Sequence, residues 1–450
     1  MNADEALKFI EQLLEEKGKK RLNDLQRLVF KGSWDGRSYK EIQQQYSHRC
    51  SYEHLIRNVG PELWNFLSDV LEDQVRKLDL QGAIERAWER QSSLKANGTT
   101  DAESLSQQSN ETEMAAEPLV QEDFIPRRYL GNVPEVSALF GRNRELRQLE
   151  EISFGCSLIL LYGAPGIGKT TLAAKLTHQI SKQFDYVVWR SLEEPPPMQT
   201  LVAELTHFLS NGEETSTDLS RLLHYLQKHA CLIVLDGLES VLRSGVHNGS
   251  YREGYEGYSD LLKQVGQISL MSRIVLTSAE KPRDVANMEG GQRVFALKLE
   301  GLGELGTQNL LVARGNECTE TDVRVILHRY DGNPFILNSI ATKIRDLFNG
   351  DIQTFLQQGT LIFDDIQALL ERQFNRLSDL ERAIVKCLVA HHEPLTIAEI
   401  RQFVTPPISN GEILEVLQSL LWRSLIEGSA ARYSLQALMA EYIMNCQQDG

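Results

Sequence analysis

The six cysteines of this 450-residue chain (Cys50, Cys156, Cys231, Cys318, Cys387 and Cys446) never fall into a C-x-x-C pair. That excludes a disulfide scaffold and a zinc-finger pattern and fits a reducing compartment. No apolar run approaches the roughly 20 residues a membrane helix needs. The first segment, MNADEALKFIEQLLEEKGKK, is charged from residue 4 and is not read as a secretory signal. Positive surplus is missing too: 47 Lys and Arg face 62 Asp and Glu, a formal net charge of −15. Such a chain does not coat nucleic acid or anionic membrane by bulk electrostatics, so any DNA contact needs a local basic face. No internal repeat in the range of roughly 20–50 residues is visible. What remains is a soluble globular balance, 42% apolar and 24% charged, long enough for two to four domains. The expected location is the cytoplasm, with no membrane partner.

Residues 91–134 are expected to form a flexible linker, because QSSLKANGTTDAESLSQQSNETEMAAEP has almost no large hydrophobics to offset its ordering entropy. Residues 1–90 before it read as a helical domain of four or five amphipathic segments. Ser38 to Glu41 forms a capping box, and Pro61 stands where a helix starts. After the linker, SLILLY, YVVWRSL, CLIVLD, RIVLTS and RVFALKL are short apolar runs, with helical stretches between the first four. Runs of this kind are strands buried on both faces, so residues 135–301 should form a parallel, doubly wound α/β core. From 302 the pattern is helical, with a helical domain expected over 302–358. Residues 359–450 end on helix, short strand, turn and short strand, the pattern of a winged helix.

The stretch GAPGIGKTT carries the chemistry. Gly163-x-x-x-x-Gly168-Lys169-Thr170 is a phosphate-binding P-loop, placed after an apolar strand and at the opening of a helix. Glycines let the backbone wrap the phosphates, and the helix N-terminus points its N–H groups at the anion. Gly163, Pro165, Gly166, Gly168, Lys169, Thr170 and Thr171 are the expected nucleotide contacts. Lys169 would face the β- and γ-phosphates, while Thr170 and Asp236, at the end of CLIVLD, would hold Mg²⁺. Position 237 is glycine, so no second acid adjoins Asp236. Glu239 is the nearest carboxylate that could orient an attacking water; the other reading makes it an exposed loop residue.

LFGRNREL (139–146), GAPGIGKTT (163–171), LIVLDGLE (232–239), RIVLTSAEKP (273–282) and GNPFILNSIA (332–341) stand in the order and spacing of a known family. Over about residues 135–445 the chain resembles the NB-ARC nucleotide-binding proteins of the STAND class of signalling P-loop NTPases. The resemblance implies an ATP/ADP switch, with Phe140 and Arg142 near the adenine and Pro334 closing over the nucleotide from the helical domain. It also implies that the winged-helix end faces the β-phosphate. Residues 38–71 resemble the helix-turn-helix domain at the front of bacterial, notably cyanobacterial, vWA-MoxR-associated and NB-ARC proteins.

Three positions depart from the family pattern. Ala279 stands where an arginine usually senses the γ-phosphate, a contact of about 1.5–3 kcal/mol. Gly237 replaces the second acid. Gln436-Ala437 replaces His-Asp; Gln436 can still donate to a phosphate, whereas Ala437 has no acid to offer. Nucleotide binding with slow or impaired hydrolysis is the expectation. The family usually continues into trigger-sensing repeats; either a partner senses, or this is a shortened form.

In the N-terminal domain, Arg49, His54, Arg57 and Asn58 could face a DNA groove. Residues 1–90 hold 15 basic and 16 acidic side chains, which favours an unidentified protein partner over DNA. Trp64, Phe66 and Leu67 read as core. Tyr251, Tyr255 and Tyr258 read as a mobile loop or an oligomer contact. The first expectation is a switch in which exchange of ADP for ATP opens the domains and exposes a homo-oligomerising surface. The alternatives are a nucleotide-regulated DNA-binding regulator and an ADP-holding scaffold without catalysis.

Overall fold

A computed structural model of the chain describes residues 3–17, 24–37, 59–71, 80–96 and 127–448, apart from 132, 137, 154, 248, 269, 392, 405 and 406, and also positions 19, 22, 42 and 75. It divides into two units, Met1–Pro118 and Leu119–Gly450.

In the first unit, helices Ala3–Glu16, Asp24–Trp34, Gly60–Leu71 and Leu80–Ala96 surround Ile10, Leu14, Phe30, Leu63, Leu67 and Ile84. Their apolar residues recur at helical spacing, so each helix can bury one stripe against the others. Leu67 is fully buried, and Trp64 and Phe66 pack against the same core, as the sequence suggests. The last helix runs on to Ala96, past the start expected for the linker. Arg49, His54, Arg57 and Asn58 lie outside the described residues.

The second unit is built on a six-stranded sheet: β1 (Arg127–Tyr129), β2 (Leu158–Tyr162), β3 (Tyr186–Ser191), β4 (Cys231–Asp236), β5 (Arg273–Ser278) and β6 (Val294–Lys298). The order is β1-β3-β4-β5-β2-β6, and every pair is parallel. Side chains alternate between two cores. Leu158, Leu160, Ile233, Leu235 and Leu276 pack on one face, while Ile159, Leu161, Val234 and Val275 pack on the other. Five strands fall where the apolar runs place them. The sixth, β1, lies inside the stretch read as linker: its three residues are exposed and join the sheet through backbone pairing with β3, so no hydrophobic pattern marks it.

The tyrosines after β4 are neither a mobile loop nor an oligomer face. Tyr258 is buried in helix Gly257–Gln267 and its hydroxyl donates to Pro196 O at 2.8 Å, while Tyr255 donates to Pro195 O at 3.1 Å. Their rings and that of Tyr251 pack on the sheet core, although of the three only Tyr258 lies in the helix; Tyr251 is placed by its bridge to Leu242.

Beyond β6 the chain is mainly helical, from Glu304–Ala313 through Asp364–Asn375. The C-terminal part then combines helices Asp379–His391, Ile397–Phe403 and Asn410–Trp422 with β7 (Leu395–Thr396), β8 (Ile426–Ser429) and β9 (Arg432–Leu435), before the helix Ala437–Gln448. The small sheet is antiparallel in the order β7-β9-β8. Capping boxes at Thr396/Glu399 and Ser409/Glu412 fix two of these helix starts. One continuous apolar cluster runs from Leu302 to Ile443, so no break in the core falls at the boundary expected near 358.

Candidate functional site

The site starts where β2 ends. The chain leaves Tyr162 through Gly163 (φ 151°), Gly166 (φ 78°) and Gly168 (φ 96°), and enters helix Lys169–Ile180. A Cβ on Gly163 would stand 2.5 Å from Leu299 O, and one on Gly166 2.8 Å from Phe335 Cβ, so both turns admit only glycine. The free N–H groups of the helix's first turn lie in this loop. Lys169 is buried and donates Nζ to Gly163 O at 2.9 Å and Ala164 O at 3.0 Å. Burial pushes its pKa down, while the charges of Glu239 and Asp236 hold it up. An ammonium whose hydrogen-bond partners among the described residues are carbonyls, in a desolvated loop, suits an incoming phosphate.

Thr170 Oγ1 donates to Asp236 Oδ1 at 2.8 Å, and Thr277 Oγ1 donates to the same oxygen at 2.5 Å. Thr170 comes from the first turn of the helix, Asp236 from the end of β4 and Thr277 from the adjacent β5, so sheet register sets the contact. Thr171, next in the helix, is half-buried. One hydroxyl and one carboxylate are a donor set that fits Mg²⁺ completed by phosphate oxygens and water. Among the described residues no group of three or more His, Cys, Asp or Glu could hold a metal without such help.

Glu239 is half-buried, and its carboxylate accepts the backbone N–H of Ala279 at 3.0 Å. The position that lacks the arginine thus holds the acid by its main chain. Thr277 also fixes Gly237, whose N–H donates to Thr277 Oγ1 at 2.9 Å.

The helical part covers this loop with the segment Asn333-Pro334-Phe335. Asn333 Nδ2 donates to Pro165 O at 2.9 Å, Phe335 N–H to Gly166 O at 3.2 Å, and the Pro334 ring lies 4.0 Å from where a Cβ on Gly168 would be. Pro334 and the P-loop are therefore brought together. Asn333 was missed; its signal was an N-cap type directly before a proline at the helix start.

Arg142 is buried and has three protein acceptors: Glu145 Oε1 at 2.9 Å, Ile167 O at 3.1 Å and Glu300 O at 2.6 Å. It ties the P-loop to the strand-to-helix crossing after β6. Phe140 packs against the helical core. A cavity of about 630 Å³ opens beside Ala164 and Ile167 and is closed by Tyr330, Asp331 and Asn333 on one side and Gly428, Gln436 and Leu438 on another. Its size suits a small-molecule ligand. Gln436 borders it, whereas Phe140, Arg142, Lys169, Thr170 and Asp236 do not, and the P-loop reaches it through Ala164 and Ile167. Asp331, at a left-handed helix end (φ 51°), accepts the N–H of Leu438 in the first turn of the last helix. It thereby caps a helix whose own leading residue, Ala437, offers no acid. Burial pushes its carboxyl up to about 6; Glu427 adds to the rise, and the Leu438 bond and His328 oppose it.

Comparison with known proteins agrees with this geometry. Residues 143–241 match the NB-ARC domain, and residues 1–87 match the vWA-MoxR associated protein N-terminal HTH. The chain thus carries an NB-ARC domain, with the P-loop inside it, behind a helix-turn-helix domain of that type. An uncharacterized WD repeat-containing protein of Nostoc sp. is 41% identical over 350 residues, which cover 72% of this chain and 28% of that protein. A disease resistance protein of Arabidopsis thaliana is 25% identical over 247 residues, 51% of this chain and 16% of that one. The chain thus spans less than a third of the curated relatives it matches. Among solved structures, a Walker-type ATPase of Pyrococcus abyssi shares the fold, with a TM-score of 0.51 over 71% of this chain and 99% of that chain at 15% identity. No helix among the described residues is long and apolar enough to cross a membrane.

Proposed function

We propose that the chain is a STAND-class switch that binds ATP or ADP with Mg²⁺ and passes the nucleotide state to its C-terminal part, a winged-helix lid. One observation carries this reading: the helical part hydrogen-bonds the P-loop carbonyls of Pro165 and Gly166, beside a cavity that Gln436 borders from the C-terminal part. A nucleotide held there touches all three parts, so its γ-phosphate can bias their closure.

Beside that cavity, Lys169 would bind the phosphates and Thr170 with Asp236 would hold the metal, which would supply neutralisation of phosphate charge. Glu239 orients water, but its carboxylate is tied to the Ala279 amide. With Gly237 beside Asp236, that supports hydrolysis well below the roughly 1–10³ s⁻¹ of ordinary enzymes. Exchange of ADP for ATP releases the lid and exposes a homo-oligomerising surface, and the N-terminal domain meets a protein partner. In this reading the chain acts in the cytoplasm.

The test is to denature purified wild type and Lys169→Ala and identify the released nucleotide by chromatography. Stoichiometric ADP from wild type alone is expected. Absence of nucleotide from both, with no binding on addition, overturns the switch.

A further inference from the structure

Glu280 follows Ala279 at the end of β5, and its side chain is only 6% exposed. Its partners come from the far end of the chain. Arg376 Nε donates to Glu280 Oε1 at 2.5 Å, and Arg423 Nη1 lies 3.0 Å from the same oxygen. Arg423 (5% exposed) also places Nε 3.1 Å from Oε1 of the fully buried Glu381, which accepts the Ser419 hydroxyl at 2.6 Å. Two acids and two arginines thus neutralise one another inside the protein.

The same arginines reach the loop that follows Asp236. Arg376 Nη2 donates to Glu239 O at 3.0 Å, and Arg423 Nη2 donates to Val246 O at 2.8 Å. In return, Gly245 N–H donates to Arg376 O at 2.9 Å, and Lys281 N–H to Trp422 O at 3.3 Å. Residues 239–246 and 279–281 are therefore clamped together from one side. Glu239 sits between two grips: the Ala279 amide holds its carboxylate and Arg376 holds its carbonyl.

We propose that Glu280, Arg376 and Arg423 form a charge latch that seats the C-terminal part on the loop after β4 and positions Glu239, so that unlatching frees Glu239 and loosens bound nucleotide together. A buried ion-pair set contributes little net stability compared with apolar packing, because desolvation offsets the attraction. Its better-attested use is to fix register between parts that can separate, since breaking one pair strands a buried charge. Arg376 and Glu280 are positioning residues here, acting through Glu239. The nucleotide arm of this inference rests on the switch reading.

The experiment compares wild type, Arg376→Gln, Arg376→Lys, Glu280→Gln and the double variant Glu280→Gln/Arg376→Gln in the full chain. It reads hydrogen exchange of the peptides covering 237–246 and 419–424 and the release rate of a fluorescent ADP analogue. Arg376 is partly exposed, so its variants should fold, as thermal melting will check. Arg376→Gln is expected to speed both exchange in 237–246 and ADP release by about tenfold or more. Arg376→Lys should recover part of the loss, because an ammonium can pair with Glu280 but cannot bond Glu280 and the Glu239 carbonyl as the guanidinium does. The double variant should differ from Arg376→Gln by less than Glu280→Gln differs from wild type. Unchanged exchange in 237–246 in a folded Arg376→Gln, or exchange raised equally throughout the chain, overturns the latch. If the chain binds no nucleotide, a local rise in exchange still upholds the latch while the switch reading falls.

Discussion

The phosphate end of the site and its joint with the C-terminal part satisfy their buried polar groups in opposite ways. At the phosphate end the partners are exchangeable: Lys169 is held by two carbonyls and Thr170 by Asp236. A phosphate and a cation can replace such bonds with stronger ones at little cost. At the joint, Glu280 is paired with Arg376 and Arg423, which also donate to main-chain carbonyls of the loop after β4, while Glu381 holds Arg423 from within the C-terminal part. These groups cannot part without water or new partners to receive them. The difference teaches a division of labour: the first region is ready to take a ligand, and the second is ready to register whether the parts are closed.

The contrast is broken most severely at Gly166, which belongs to the phosphate end but touches the helical part. Gly166→Ala puts a Cβ 2.8 Å from Phe335 Cβ and 2.9 Å from Asn333 Oδ1, at a φ of 78°. Left-handed strain and overpacking together should cost about 2–4 kcal/mol. The expected outcome is a large loss of ADP affinity by calorimetry, with Lys169 intact and hydrogen exchange in 419–424 little changed. Exchange raised in 419–424 as strongly as around 333–337 would show that the two regions are not separable.

How much of this could be read beforehand follows the same divide. The phosphate end was legible because it is local: Gly163 to Thr171 is one run, and Asp236 ends an apolar strand whose register does the rest. Five strands were legible for the same reason, since burial on both faces leaves an unbroken apolar signature. The edge strand Arg127–Tyr129 left no such mark, having only backbone bonds to offer. Arg142 carried a family resemblance to adenine contact, yet its guanidinium is occupied by Glu145 and two carbonyls. The joint was illegible. Nothing in AEK around Glu280, or in the surroundings of Arg376 and Arg423, announces that these residues meet, because no short-range pattern encodes pairing between distant segments.

A milder perturbation acts on Asp331, which bridges the helical part and the last helix. Its folded pKa of about 6 stands above the model-peptide value of 3.8. The stability linked to its proton is therefore full below about pH 4 and is lost as pH rises through 6. Asp331→Asn keeps an acceptor for the Leu438 N–H and removes the charge. It should match wild type near pH 4 and exceed it by about 1–3 kcal/mol at pH 7 and above. Urea titrations across that range check the sign; a variant less stable than wild type at pH 7 would mean that the charged carboxylate's cap outweighs its burial.

The smallest effect is expected in the β8–β9 hairpin, whose Gly428 lines the cavity. Ser429 pairs with Arg432, so Ala430 and Ala431 make a two-residue turn, with φ of 50° and 61°. Such a turn needs both residues left-handed and favours Asn-Gly, whereas alanine is strained there. Ala430→Asn/Ala431→Gly should raise the stability of the C-terminal part by about 0.5–1.5 kcal/mol, offset slightly by the glycine's unfolded-state entropy. A rise of a few degrees in the melting midpoint, with ADP release unchanged, is the expected result. It sharpens the comparison, because stabilising the hairpin strengthens the C-terminal part without touching the latch. Slower ADP release in that variant would move the control of closure from the buried charges to the hairpin beside the cavity.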